Sequence, residues 1–142
     1  DSQVAGGARI GPYARLRPGS RIGAGAKIGN FVEIKNSRIG EKTSVAHLSY
    51  LGDSDVGKEV NVGCGVVTAN YDGKQKFSTR IGDRAFIGCN TNFIAPVSAG
   101  AGSVIAAGTT VTEDIPDDAL AVGRARQETR PGWAREKGKY RR

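Results

Sequence analysis

Aliphatic residues recur every six positions along most of this chain. They form an eighteen-member series of Val4, Ile10, Leu16, Ile22, Ile28, Ile34, Ile39, Val45, Leu51, Val56, Val62, Thr68, Ile81, Ile87, Phe93, Ala99, Ile105 and Val111. The series slips by one residue twice, and a longer insertion follows Thr68. Neither an α-helix nor an alternating strand has a period of six, whereas a hexapeptide β-helix does. The pattern therefore predicts an all-β parallel solenoid.

Each hexad in such a fold supplies a short strand and a corner, and three hexads close one triangular coil. Eighteen hexads predict about six coils, with the lead aliphatic pointing into the prism. Backbone pairing between coils explains how a chain with 21 glycines and few aromatic residues can fold. We expect the β-helix to cover residues 1–112, with an extruded loop at 69–80. Residues 113–142 would form a capping segment and a basic tail, since Pro116 opposes another regular coil.

Positive charge is concentrated near the C-terminus. Residues 124–142 carry eight basic and two acidic side chains, which is +6 of the net charge of +7. Such a segment suits a phosphorylated ligand or a nucleic acid, or is simply a solvated terminus. No base-reading aromatic array accompanies it, so no nucleic-acid partner is expected. No apolar run of 18 residues occurs either, so no membrane partner is expected.

Cysteine usage points to a reducing compartment. Cys64 and Cys89 are too few for a disulfide scaffold, and with one histidine they make a poor zinc set. We therefore expect a cytoplasmic protein with no metal in this domain. The chain lacks methionine, begins at Asp1 and shows no secretory leader, so we expect a fragment of a longer protein or a processed one.

Residues one coil apart should stack on one face of the prism. Arg17 and Lys35 lie eighteen residues apart, and each directly follows a lead aliphatic. Two stacked cations repel, so an anion such as phosphate between them would be favourable. The alternative is that both are ordinary solvated surface charges.

His47, the sole histidine, is the third residue of its hexad. The third residues of the later hexads on the same face are Cys64, Cys89 and Ala107. Small side chains leave a shallow groove, and a groove that leads to a base could hold an extended thioester arm. The alternative is that small residues merely suit corner positions.

The chemistry of His47 follows from its side chain, because histidine is the one residue whose ordinary pKa lies near neutrality. An amine that attacks an acyl thioester must lose a proton, and a neutral imidazole can accept it. Ser49 would lie on the same side as His47 of an extended strand. No third residue is recognisable as an orienting group, so direct transfer is expected rather than a covalent intermediate. An exposed corner residue is the alternative for His47.

Five segments carry a resemblance to a known family. They are ARLRPG (14–19), GNFVEIK (29–35), AHLSYLGD (46–53), NVGCGVVTANYDGKQKF (61–77) and IAAGTTVT (105–112). They resemble the acetyltransferase half of the bacterial bifunctional N-acetylglucosamine-1-phosphate uridyltransferase and glucosamine-1-phosphate acetyltransferase. The resemblance covers nearly the whole chain and weakens after Arg124.

The resemblance implies acetyl transfer from acetyl-CoA to the amine of glucosamine-1-phosphate, a step in UDP-N-acetylglucosamine synthesis. It also implies a left-handed β-helix and a homotrimer with its sites between subunits. The sequence contains nothing like the family's uridyltransferase half, so this chain alone is not expected to make the UDP-sugar.

Residue roles are likewise implied by the resemblance. The base that deprotonates the amine is His47, the sugar phosphate is bound by Arg17 and Lys35, and the sugar is contacted by Tyr50 and Asn61.

The cofactor-binding residues implied by the resemblance are Cys64, Asn70, Tyr71, Lys76, Cys89, Ala107 and Arg124. The three that fall in the loop, Asn70, Tyr71 and Lys76, meet either acetyl-CoA or the sugar. Some relatives carry Ala at position 64 and Ser at position 89. A thiol is a weaker hydrogen-bond donor than a hydroxyl, which weakens any donation from Cys89.

Other interpretations stay open. The prism could transfer an acyl group to serine, to another amino sugar or to a nucleotide-linked sugar, or it could be a non-catalytic basic binding module. A hexapeptide carbonic anhydrase needs three histidines, and an ice-binding prism needs flat threonine ladders in place of charged faces.

Overall fold

The computed structural model describes residues 1–139, and within them it contains nineteen short strands and one short helix. The strands are β1 (Gln3–Val4), β2 (Arg9–Ile10), β3 (Arg15–Leu16), β4 (Arg21–Ile22), β5 (Lys27–Asn30), β6 (Glu33–Lys35), β7 (Arg38–Ile39), β8 (Ser44–His47), β9 (Tyr50–Gly52), β10 (Ser54–Val56), β11 (Asn61–Val62), β12 (Val67–Ala69), β13 (Thr79–Ile81), β14 (Phe86–Ile87), β15 (Asn92–Ile94), β16 (Val97–Ala99), β17 (Val104–Ile105), β18 (Thr110–Val111) and β19 (Leu120–Ala121). The helix is α1 (Trp133–Glu136). The end of the predicted basic tail, residues 140–142, lies outside the described residues.

From β1 to β18 every third strand pairs in parallel, which produces three sheets, and β19 then pairs with β17. The first sheet has the order β1-β4-β7-β10-β13-β16, and the third has the order β3-β6-β9-β12-β15-β18. The second sheet runs β2-β5-β8-β11-β14-β17-β19 and so has seven strands against six in each of the others. The predicted all-β solenoid of hexapeptide coils is confirmed. Its left-handed winding stays a prediction.

The core is the inward row of lead aliphatics. From Ile22 to Val111 every member of the period-six series is buried, and Phe93 is the largest of the fully buried side chains. Val4 and Ile10 are 49% and 39% exposed because the first coil has a neighbouring coil on one side only. A second buried row of small or β-branched residues lines the corners, as Ala26 illustrates. The interior is thus filled by medium-sized side chains in repeated layers.

Several corners place bulky residues in the left-handed region. Tyr13, Phe31 and Leu48 have φ of 57°, 59° and 41°. Such values are uncommon for residues other than glycine and asparagine. Stacked coils hold them, because Phe31 donates its backbone N–H to the carbonyl oxygen of Tyr13 at 3.0 Å. The Tyr13 and Phe31 rings stack with centroids 5.6 Å apart.

The predicted loop leaves the prism between β12 of the third sheet and β13 of the first. Tyr71 and Lys76 form an antiparallel bridge that makes its tip a small hairpin. At the turn, Asp72 Oδ1 accepts two backbone N–H bonds at 2.7 and 2.8 Å, and these hold the pKa of Asp72 below 3.8. Gly73 has a φ of 99°. Asp72 and Gly73 therefore form the turn of this hairpin.

Parallel pairing continues beyond residue 112. Ile115 bridges to Ala99, and β19 pairs with β17 on the second sheet after Pro116. The last rung is therefore partial, with Pro116 between its two paired segments. The chain then leaves the prism and forms α1, which is exposed throughout. Within residues 1–139, no helix is long and apolar enough to cross a membrane.

Candidate active site

Four second-sheet strands align His47 with small side chains. Val45, Val62, Ile87 and Ile105 are register partners along β8, β11, β14 and β17. The residues two positions after them are His47, Cys64, Cys89 and Ala107, and we call this set the His47 column. The stacking predicted from the hexad count is therefore present.

The His47 column is open to solvent. His47 and Cys89 are exposed, and Cys64 is half-buried with a free thiol. Arg124 extends the column, because its guanidinium donates to the Ala107 carbonyl oxygen at 2.5 Å. The result is a shallow path of small side chains with an imidazole at one end and a guanidinium at the other.

The His47 ring has a partner that the sequence did not reveal. Its Nδ1 lies 3.1 Å from Asn30 Oδ1, and the two residues are register partners on β8 and β5. The expectation that Ser49 shares a side with His47 is wrong, because Leu48 turns the corner between them. Ser49 is buried, and its hydroxyl donates to the His47 carbonyl oxygen at 2.9 Å.

A second group of predicted residues lies on the third sheet. Arg17 and Lys35 follow Leu16 and Ile34, which are register partners, so they sit one coil apart as expected. They are not a pair of free cations, however. Arg17 binds Glu33 at 3.0 Å and Lys35 binds Asp53 at 3.2 Å.

Asp53 is the centre of a small polar network. Besides Lys35, it accepts hydrogen bonds from Asn36 Nδ2 at 2.7 Å and from Asn70 Nδ2 at 2.5 Å. Partial burial would raise the pKa of Asp53, but these donors outweigh it and hold that pKa below 3.8. Partial burial would likewise lower the pKa of Lys35, but the hydrogen bond and charge of Asp53 hold it above 10.5. Both groups are therefore charged at neutral pH.

Tyr50 and Asn70 meet above a glycine. The Asn70 amide donates to the Tyr50 hydroxyl at 3.4 Å, which ties the base of the loop to the third sheet. A Cβ at Gly52 would run into the Tyr50 hydroxyl and would lie 2.7 Å from Asn70 Nδ2. The absence of a side chain at Gly52 is what lets the ring and the amide approach each other.

Two of the three remaining predicted residues lie apart from these two groups. Asn61 is at the start of β11 and pairs with Ser44, so it lies level with the amino end of β8, whereas His47 lies at its carboxyl end. Tyr71 is 60% exposed on the loop hairpin. Lys76, by contrast, lines a cavity of about 360 Å³ together with Asn36 and Asp53, so it borders the Asp53 network. One chain thus holds parts of a site without closing it.

Asn30, Glu33 and Asp53 are the site residues that sequence reasoning missed. Asn30 is the register partner of His47, whereas Glu33 and Asp53 lie diagonally to Arg17 and Lys35 on the adjacent coil. Applying the coil offset to His47 would have found Asn30, but it would not have found the diagonal partners Glu33 and Asp53.

Comparison with known proteins identifies the relatives of this chain. A family described as bacterial transferase hexapeptide (six repeats) matches residues 1–36. The bifunctional protein GlmU of Trichormus variabilis is 52% identical over 138 residues, which are 97% of this chain and 31% of that protein. GlmU of Halalkalibacterium halodurans is 53% identical over 137 residues, which are 96% of this chain and 30% of that protein.

This chain is a homologue of the C-terminal part of GlmU. It spans about a third of the length of the curated GlmU relatives that it matches.

Solved structures show the same architecture. A mutant of GDP-perosamine N-acetyltransferase from Caulobacter crescentus, in complex with CoA and GDP-perosamine, is 26% identical with a TM-score of 0.64, covering 86% of this chain and 53% of that one. A mutant of the N-acyltransferase AntD from Bacillus cereus is 15% identical with a TM-score of 0.72, covering 92% and 88%. The second likeness shows the fold alone.

Proposed function

We propose that this chain transfers the acetyl group of acetyl-CoA to the amine of glucosamine-1-phosphate. The observation that carries the proposal is the His47 column, in which a single exposed imidazole on the second sheet heads a path of small side chains, while the Arg17 and Lys35 pair stands on the third sheet. Homology to GlmU over nearly the whole chain supports it. So does the likeness to an amino-sugar N-acetyltransferase that binds CoA.

His47 is the base in this proposal. The amine nitrogen attacks the thioester carbonyl carbon, a C–N bond forms and the C–S bond breaks. The proton of the amine passes to the imidazole, and coenzyme A leaves as a thiolate that is later protonated. A positioned base of this kind contributes about 10²–10⁴ in rate.

Arg17 and Lys35 bind the sugar phosphate in this proposal. A guanidinium has five N–H donors, and within residues 1–139 the Arg17 side chain donates one hydrogen bond, to Glu33. The remaining donors suit a phosphate. Glu33 and Asp53 keep the two cations in position while the site is empty, and they balance their charge. Tyr50, half-buried beside them, contacts the sugar.

The acetyl-CoA arm follows the His47 column in this proposal. Cys64, Cys89 and Ala107 are small enough to admit an extended chain along the carboxyl ends of the second-sheet strands. At the far end, Arg124 and Arg126 line a cavity of about 530 Å³. Two guanidinium groups at a cavity suit the phosphates of coenzyme A.

The proposal includes a homotrimer with sites between subunits. Its support is that Asn61, Tyr71 and Lys76 lie away from His47 within one chain. Apolar corner residues also stand beside His47, including Phe31, which is 58% exposed. Sedimentation is expected to give three times the chain mass of 14.9 kDa. A fully active monomer would contradict this part of the proposal. A cytoplasmic location, where acetyl-CoA is made and the thiols stay reduced, also belongs to it.

A nucleotide-linked amino sugar is the second candidate acceptor. The observation that favours it is the likeness to the Caulobacter crescentus enzyme, which was solved with GDP-perosamine. The Arg17 and Lys35 pair accommodates one phosphate attached to the sugar and therefore favours the smaller substrate.

A thiol-release assay with acetyl-CoA tests the proposal. Glucosamine-1-phosphate, glucosamine and a nucleotide-linked amino sugar would be compared, and the sugar phosphate is expected to give the highest kcat/KM. His47→Ala should cut turnover at least a hundredfold while leaving CoA binding largely intact. Full activity in that variant would refute His47 as the base. If none of the amines leads to thiol release, transfer itself is refuted and a binding module is favoured. Removal of residues 125–142 is the matching test for a binding module.

A further inference from the structure

The amide of Asn30 is in contact with the one imidazole of the chain. Its Oδ1 lies 3.1 Å from His47 Nδ1, and within residues 1–139 this is the hydrogen bond that the ring makes. Asn30 is half-buried, whereas His47 is exposed. Asn30 is thus more buried than the imidazole ring to which it is hydrogen-bonded.

Local structure holds Asn30 in register with His47. β5 and β8 are the two four-residue strands of the prism, and they pair from Lys27 with Ser44 to Asn30 with His47. The Asn30 carbonyl oxygen also accepts the backbone N–H of Leu48 at 3.0 Å. Main chain and side chain of Asn30 therefore both bind the segment that carries the imidazole.

Gly29 is required for this close pairing. A Cβ at Gly29 would overlap the carbonyl group of Ala46, the residue before His47. The two backbones approach each other here without an intervening side chain, which leaves little freedom for the Asn30 and His47 side chains to separate.

Asn30 turns its Oδ1 toward the ring, and because an amide oxygen can only accept a hydrogen bond, this orientation calls for the hydrogen on Nδ1. That leaves the lone pair on Nε2, the nitrogen that points away from Asn30. An amide cannot gain or lose a proton in the working range of pH, so it stays an acceptor whether the ring is neutral or charged. The same bond thus serves the imidazole before and after it takes a proton.

We propose that Asn30 is the positioning residue for His47, which it holds in the Nδ1–H form so that Nε2 accepts the proton of the attacking amine. This rests on the proposed function, since it assigns a role to the orienter of the proposed base. Ser49 does not compete for the role, because its hydroxyl donates to the His47 and Gly63 carbonyl oxygens and not to the ring.

The sole histidine makes a direct test possible. With ¹⁵N-histidine labelling, a long-range ¹H–¹⁵N correlation spectrum shows two ring nitrogens from one residue, so no assignment is needed. At a pH where the ring is neutral, the wild type should show a protonated Nδ1 and an unprotonated Nε2. A predominantly Nε2–H ring in the wild type would overturn the proposal without any variant.

Variants separate the hydrogen bond from the fold. Asn30→Leu removes the acceptor at similar size and should shift the ring toward the Nε2–H form, with kcat lower by about tenfold or more and the KM for acetyl-CoA unchanged. Asn30→Asp keeps an acceptor and should keep Nδ1 protonated. An unchanged tautomer in a folded Asn30→Leu would contradict the proposal. If glucosamine-1-phosphate is not the acceptor, the wild type shows no activity with it, while the tautomer result still stands. Failure of the proposed function is therefore distinguishable from failure of the role proposed for Asn30.

Discussion

Lys35 Nζ lies 3.2 Å from Asp53 Oδ2, in an ion pair whose side chains are only 16% and 11% exposed. Exposed ion pairs contribute little to stability, but this one is partly buried and Asp53 also accepts two amide hydrogen bonds. The pair joins the proposed phosphate site to the base of the loop through Asn70. It should therefore influence both the stability of the chain and the shape of the site.

Asp53→Asn is expected to destabilise the chain by about 1.5–3 kcal/mol at neutral pH, because it removes hydrogen bonds to a charged acceptor. The pKa of Asp53 is below 3.8 in the folded chain. Its stabilisation is therefore complete above pH 3.8 and is lost as the pH falls through the folded value. The pKa of Lys35 is above 10.5, so its share is complete below pH 10.5 and is lost as the pH rises through the folded value. Urea unfolding across pH should show a flat difference between wild type and variant that closes at both ends.

Asp55→Asn is the matched control for that measurement. Asp55, like Asp53, forms an ion pair, here with Arg38 at 2.6 Å, but the side chains of Asp55 and Arg38 are 46% and 57% exposed. Its loss should change the free energy of unfolding by less than about 1 kcal/mol. Equal effects of the two substitutions would mean that burial of the Asp53 network contributes nothing to the free energy of unfolding.

Gly52→Ala is expected to act on the site more than on the fold. The new methyl group would meet the ends of the Tyr50 and Asn70 side chains, which can move aside, rather than a backbone group. We expect the KM for the sugar phosphate to rise several-fold while the KM for acetyl-CoA stays unchanged. Gly6→Ala is the control, because a Cβ there meets nothing within 4 Å. An unchanged acceptor KM would show that the Tyr50 and Asn70 contact is not part of the acceptor site.

The solenoid was predictable from the sequence because its period is carried by the lead side chains themselves. Once the period is known, residues one coil apart must stack. The sequence alone therefore aligns His47 with Cys64 and Cys89. Only one strand register buries the whole row of inward side chains from Ile22 to Val111.

The hydrogen-bond partners of those residues were harder to predict from the sequence. Whether Arg17 binds Glu33 or an incoming anion depends on side-chain torsions that a six-residue period does not encode. The corner at Leu48 is a second case, since a leucine in the left-handed region is held by backbone bonds to the coil beneath it and not by its own preference. Ser49 was misplaced for that reason.

Arg17→Ala is expected to raise the KM for glucosamine-1-phosphate by tenfold or more, because charge-assisted hydrogen bonds to a phosphate would be lost. Turnover at saturating substrate should change less, since Arg17 is remote from the reacting amine in this proposal. Arg9→Ala is the control, as Arg9 is an exposed cation on β2 of the second sheet. The effect should shrink when unphosphorylated glucosamine is the acceptor. An equal loss with both acceptors would mean that Arg17 does not recognise the phosphate.

Alkylation of Cys89 can locate the cofactor path without an activity assay. Cys89 is exposed whereas Cys64 is half-buried, so iodoacetamide should modify Cys89 first. The Cys64→Ala variant leaves Cys89 as the one thiol to follow by mass spectrometry. Saturating acetyl-CoA is expected to slow the modification at least tenfold if its arm lies along the His47 column. Glucosamine-1-phosphate alone should have no such effect, because its proposed site is on the third sheet. The same rate with and without acetyl-CoA would place the cofactor elsewhere and would remove the proposed role of the small residues between His47 and Arg124.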